Sequence, residues 1–147
     1  MARIVVGVDD SNGARHALSW ALRQARGTGA TVEVVYVFER HLAWVDLDQS
    51  AEELRRADES AVAASRRLLD EVVDGVTGAD GDVEVTRTVL LGEVAASLVQ
   101  RSADADLLVV GSHGRGALKG LLLGSVSRRC TELARCPVVV IPRALDG

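Results

Sequence analysis

Residues 107–131 contain no aspartate or glutamate, yet they hold Arg115, Lys119, Arg128 and Arg129 together with glycines at 111, 114, 116, 120 and 124. The chain as a whole is acidic, with 17 Lys and Arg against 21 Asp and Glu and a net charge of −4. A segment cleared of carboxylates in such a chain has the electrostatics of a phosphate site. Glycine leaves main-chain amides unshielded, so anionic oxygens can approach them closely. Gly124-Ser125-Val126 opens an apolar-periodic run that reads as a helix, and a helix N-terminus attracts anions through its unpaired N–H groups and its dipole. Ser125 either adds a hydroxyl donor there or simply caps the helix. The competing reading is a flexible loop whose glycines only make turns. Two familiar phosphate motifs are absent: no Gly, four residues, Gly-Lys-Ser/Thr string occurs, and a dinucleotide fingerprint begun at Gly114-Arg115-Gly116 would need glycine where Lys119 stands. A second candidate is Asp9, in Asp9-Asp10-Ser11. Its carboxylate can accept from ribose hydroxyls or cap the helix that follows, although Asp10 and Ser11 are better placed for capping. Near phosphates it would repel them, so Asp9 and the glycine loop are expected at opposite ends of a ligand.

These groups need a frame. Short β-branched apolar runs at Ile4–Val8, Val32–Phe38, Val83–Leu90, Leu107–Val110 and Val138–Ile141 predict five strands. Between them lie helical periodicities. Ala14, Ala17, Leu18, Ala21, Leu22 and Ala25 make one apolar stripe, started by Asp10 or Ser11 and ended by Gly27 or Gly29. A longer helix is expected over Ser50–Asp74, with Leu54, Ala57, Ala61, Ala64, Leu68 and Val72 inward and Gly75 breaking it. A short helix follows Gly92 (Val94, Ala95, Leu98, Val99), and a last one starts near Ser125 and carries Val126, Cys130 and Leu133. Strand–helix alternation implies a doubly wound α/β domain with a parallel sheet, helices on both faces and the ligand beyond the strands' carboxyl ends. Leu107–Val110 is apolar throughout, as for a central strand, whereas Val83–Val89 alternates like a half-exposed edge. Val138–Ile141 is either an edge consumed in a homodimer or a covered internal strand.

Composition narrows the function classes. At 147 residues, 48% apolar and 26% charged, the chain is an ordinary globular domain with no repeat or linker, so one domain is expected over 1–147. The acidic balance supplies no general field toward nucleic acid or anionic lipid, and 3% aromatic content leaves few stacking platforms for bases. No run approaches a membrane span, and the start Met1-Ala2-Arg3 turns acidic too soon for a signal peptide. Cys130 and Cys136 lack metal-ligand spacing, which points to a reduced, cytoplasmic protein with cysteines packed as small apolar groups. His16, His41 and His113 lie on different elements and read as surface or capping residues. Arg101, Arg128, Arg129 and Arg135 read as solvated faces. Residues 40–47, with Trp44, are either a lid or a surface loop.

The spacing Gly111-x2-Gly114-x9-Gly124-Ser125, between an apolar strand and a helix, resembles the signature of the universal stress protein family in its ATP-binding branch. The resemblance extends to Ile4–Asp9, Val34–Val37 and Cys136–Pro142, and so to nearly the whole chain. It implies a strand order 3-2-1-4-5. It also implies an adenine nucleotide with Asp9 at the ribose or adenine, the Val37 backbone at the adenine edge and Gly111 against the ribose. Gly114, Gly124, Ser125 and Val126 would hold the phosphates, with Arg115 close by. The expected role is an ATP-binding regulatory module of the stress response, homodimeric through Val138–Ile141, with Mg²⁺ as an optional companion of the triphosphate. The rival classes are a slow ATP hydrolase or adenylyl transferase, and a structural dimer with an empty pocket.

Overall fold

A computed structural model describes residues 2–39, 48–77, 82–114 and 123–142. Five strands, β1 (Arg3–Val8), β2 (Thr31–Phe38), β3 (Val85–Leu91), β4 (Leu107–Gly111) and β5 (Val138–Ile141), form one parallel sheet in the order β3-β2-β1-β4-β5. Four helices, α1 (Asn12–Thr28), α2 (Ala51–Thr77), α3 (Val94–Arg101) and α4 (Ser125–Leu133), alternate with them. The expected fold class and strand order are both found.

Successive side chains of a strand point to opposite faces, and the core divides accordingly. Val6, Val32, Val34 and Val109 meet Ala17, Leu18 and Ala21 of α1 and Leu69, Val72 and Val73 of α2. Val5, Val35, Leu108 and Val110 meet Ala95 and Leu98 of α3 and Cys130 of α4. Helix α1 buries all six residues of its predicted stripe. Ser11, not Asp10, caps it, its Oγ accepting from Ala14 N–H at 3.1 Å. Gly29 closes it in the left-handed region at φ 74°, donating to Ala25 O at 2.8 Å.

Helix α2 departs from expectation. It runs through Gly75, which faces open space, to Thr77. Its buried line is Ser65, Leu69, Val72 and Val73; Ala57 and Ala64 are exposed, and Leu54, Ala61 and Leu68 are half-buried. No position from Ala51 to Ala64 is buried. At 1.5 Å per residue, 27 residues reach about 40 Å, whereas the eight residues of β2 cover about 26 Å. The first turns of α2 therefore overhang the sheet, and alanines there meet nothing. Strand β3 starts at Val85 rather than Val83, and Leu133, the last residue of α4, is exposed.

Two arginines expected on solvated faces are engaged. Arg101 donates to the Glu33 carboxylate through Nε (2.9 Å) and a terminal nitrogen (2.6 Å), and Arg129 pairs with Glu93. Glu33 lies on β2 and is 4% exposed. It also accepts from Arg3 at 2.6 Å and Thr88 Oγ1 at 2.8 Å, a set that ties α3 to the sheet. The apolar β5 is an edge strand, paired only with β4 among the described residues, and all four of its residues are half-buried.

Candidate functional site

Strands β1 and β4 are the neighbours at which the strand order reverses, and their carboxyl ends diverge into a cleft of about 290 Å³. Asp9, directly after β1, accepts from Ser11 N–H through Oδ1 at 2.9 Å. That bond fixes the carboxylate over the cleft and leaves the capping of α1 to Ser11.

After β4 the chain enters Gly111-Ser112-His113-Gly114 and returns at Gly124. The Ser112 carbonyl holds these two ends together, accepting from Gly124 N–H at 2.6 Å and Ser127 Oγ at 2.8 Å. The Ser112 N–H donates in turn to Ile141 O at 2.8 Å. Gly124 is the N-cap of α4 and brings no side chain, so the first-turn amides of α4 face the cleft uncapped. Ser125 is thus the first helical residue and not the cap.

A Cβ on Gly114 would stand 2.7 Å from Asp9 Oδ2, and one on Gly124 3.3 Å from Ser112 O. The main chain at these glycines therefore packs directly on Asp9 and on the Ser112 carbonyl, and both leave bare backbone on the cleft wall, a cradle without side chains. The contact at Gly114 corrects the expected separation of carboxylate and glycine loop. Asp9 thus abuts Gly114, and among the described residues after β4 it is Gly124, Ser125 and Val126 that form the anion-attracting end.

Backbone alternation locates Val37. Thr31 N–H donates to Ala2 O and Val32 N–H to Glu84 O, so odd positions of β2 turn their peptide groups toward β1 and even ones toward β3. Phe38 keeps this parity, its carbonyl accepting from Gly92 N–H at 3.0 Å. Pairing with β1 ends at Val8↔Tyr36. The Val37 carbonyl therefore points past the end of β1, on the side of the cleft that Val37 lines.

Seven expected site residues, Asp9, Val37, Gly111, Gly114, Gly124, Ser125 and Val126, line this one cleft. Arg115, like Lys119 and residues 40–47, lies outside the described residues. Residues not singled out from the sequence complete the walls: Gly7, Val35, Val94, Leu98, Val110 and Ser127. Gly7 did carry a signal, since glycine inside an apolar strand marks a close approach; a Cβ there would meet Leu98 Cδ1 at 2.6 Å. Ser127 carried none. His113 also lines the cleft, its Nδ1 3.0 Å from Ser112 Oγ. Asp9 is the only carboxylate among the lining residues. Cys130, on the inner face of α4, is buried, which pushes its thiol up to about 11 and keeps it neutral and unreactive.

A parallel α/β sheet with a cleft at its switch point is a doubly wound fold, the class in which ligands bind beyond the carboxyl ends of the strands. Residues 1–142 match the model of the universal stress protein family. The universal stress protein Rv2005c of Mycobacterium tuberculosis is 42% identical over 140 residues, which cover 95% of this chain and 45% of that protein. The solved structure of the hypothetical protein MJ0577 superposes with a TM-score of 0.79 at 21% identity, covering 98% of this chain and 97% of that one. A universal stress protein family protein from Arabidopsis thaliana, solved with AMP bound, gives 0.66 at 24% identity, with 99% and 94% covered. The chain belongs to the universal stress protein family. It spans about half the length of the curated relatives it matches. No helix among the described residues is long and apolar enough to cross a membrane.

Proposed function

We propose that this chain binds ATP in the cleft between β1 and β4 and serves the stress response as a nucleotide-dependent regulatory module. The observation that carries this reading is the cradle at Gly114 and Gly124: bare main-chain amides at the start of α4 on one side, Asp9 and the Val37 carbonyl on the other. Phosphates suit the α4 end, where N–H groups and the dipole favour anions. A carboxylate and a main-chain carbonyl suit ribose hydroxyls and a base amino group. The AMP held by the Arabidopsis relative is in keeping with such a ligand. Mg²⁺ would enter with the triphosphate, held mainly by its oxygens.

Binding outranks turnover on one observation. Phosphoryl transfer to water needs a group that orients the nucleophile, and the described residues at the α4 end of the cleft, Gly124, Ser125, Val126 and Ser127, bring no carboxylate or amide side chain. Single-turnover incubation with labelled ATP separates the two: release of phosphate or of an adenylylated product would favour the enzyme reading. Two free thiols suit a reducing, cytoplasmic setting. The half-buried edge strand β5 suits pairing with a second copy.

The test of binding is a thermal-shift titration with ATP and Mg²⁺, with GTP in parallel. A ligand at 100 times its Kd stabilises by roughly 2.7 kcal/mol, about 5–10 °C for a chain of this size. Gly124→Asp sharpens it. Aspartate is a favourable N-cap, so α4 survives, while its carboxylate occupies the anion position. The variant should keep its fold, at a lowered melting temperature where the new Cβ crowds the Ser112 carbonyl, and lose the ATP shift. No shift in the wild type, or an equal one with GTP, overturns the reading.

A further inference from the structure

The cleft has two helical walls on the α3 face of the sheet. One is the start of α3, which contributes Val94 and Leu98; the other is the start of α4, which contributes Ser125 and Val126. Both helices are short, at eight and nine residues, and each is anchored at a different place. Helix α3 is fastened at its far end, where Arg101 meets Glu33, and α4 where Ser127 meets the Ser112 carbonyl. The two helices share the apolar cluster of Ala95, Leu98 and Cys130, with Val94 and Val126 packed against it, and across its rim an ion pair joins them: Glu93, the N-cap residue of α3, and Arg129, one turn into α4 from Ser125. The Glu93 side chain makes no capping bond to its own helix, so its carboxylate is turned to the other wall instead.

We propose that the Glu93–Arg129 ion pair is a latch that positions the α3 and α4 walls against each other and so governs how tightly the cleft holds its ligand, without touching that ligand. Both residues are then positioning residues, and the inference rests on the nucleotide reading given above. The rival role for Arg129 is a direct phosphate contact, for which Glu93 would be a competitor. The two roles predict opposite signs. Under the latch, removing either partner frees the walls and weakens binding. Under direct contact, removing Glu93 releases Arg129 toward the phosphates and strengthens it. They also differ in what is felt. Loosened walls weaken every ligand that fills the cleft, whereas a lost phosphate contact is felt only by ligands that carry phosphate.

The experiment is calorimetric titration of the full chain with ATP and with adenosine, for wild type, Glu93→Gln, Arg129→Gln, the double variant and Arg129→Lys. The pair is about half-exposed, with side chains 45% and 43% accessible. Pairs of that kind correspond to about two- to five-fold in an equilibrium constant, so the melting temperature without ligand should stay near wild type. The latch predicts that both single variants weaken ATP and adenosine by a similar factor of that size. It further predicts that the double variant is no worse than either single, and that lysine at 129 restores most of the loss. It is overturned by Glu93→Gln tightening ATP, by Arg129→Gln sparing adenosine, or by affinities that none of the variants changes. Should the wild type bind neither ligand, the nucleotide reading falls and the latch with it; loss of the latch alone shows as wild-type binding with any of the overturning patterns.

Discussion

Asp9 and Gly114 constrain each other. The carboxylate is held at Oδ1 by Ser11 N–H, and its Oδ2 lies where a Gly114 side chain would begin. Asp9→Asn keeps an acceptor for Ser11 and removes the charge. Since hydrogen bonds to charged groups contribute about 1.5–3 kcal/mol, ATP affinity should fall about tenfold or more, with the unliganded melting temperature little altered. Gly114→Ala attacks the same contact from the other side. Its methyl displaces the carboxylate and should weaken ATP to a comparable degree. Titration calorimetry on both variants checks this, and unchanged affinity in both would remove Asp9 from the site. The sequence made Asp9 and the glycine spacing visible as chemistry. It did not make visible that the two abut, because that proximity joins residues about a hundred positions apart through the pairing of β1 with β4, which no local spacing records.

Among the elements, helices were legible where burial is complete. Helix α1 lies wholly over the sheet, so its periodicity named all its buried residues. Helix α2 overhangs, so a stripe chosen by apolar type selected Ala57 and Ala64, which face solvent, and missed the buried Ser65. The inward Glu33 was hidden for a related reason: a lone charge in β2 shows its partners only once Arg3, Thr88 and Arg101 have converged on it from three other elements. Burial alone would raise its pKa, but hydrogen bonds from Arg101 and Thr88 and the charges of Arg101 and Arg3 outweigh burial and hold it below the ordinary glutamate value. A depressed folded pKa stabilises fully above the unfolded value and loses that contribution as pH falls through the folded one. Denaturant midpoints should therefore decline as the pH drops below about 4.5, and Glu33→Gln should flatten that decline. At neutral pH, Glu33→Ala should cost roughly 3 kcal/mol, the low end for breaking a buried pair, because Arg101 remains half-exposed.

For the whole molecule, the open question of β5 is one of association. Leu108 N–H donates to Pro137 O, and Ser112 N–H to Ile141 O, so odd positions of β5 face β4 and the N–H groups of Val138 and Val140 face outward. Val140→Pro removes one outward donor without breaking a bond to β4, and proline is tolerated on an edge strand. If a second copy pairs there, sedimentation equilibrium should show a wild-type dimer and a monomeric variant that still responds to ATP. A wild type monomeric at micromolar concentration would retire the dimer. The stitch at Ser112 has a wider consequence. With Gly124 and Ser127 both fastened to its carbonyl and its N–H bonded to Ile141 O, Ser112 joins β4 to the start of α4 and to the end of the edge strand, so a displacement of any one of the three is passed to the other two.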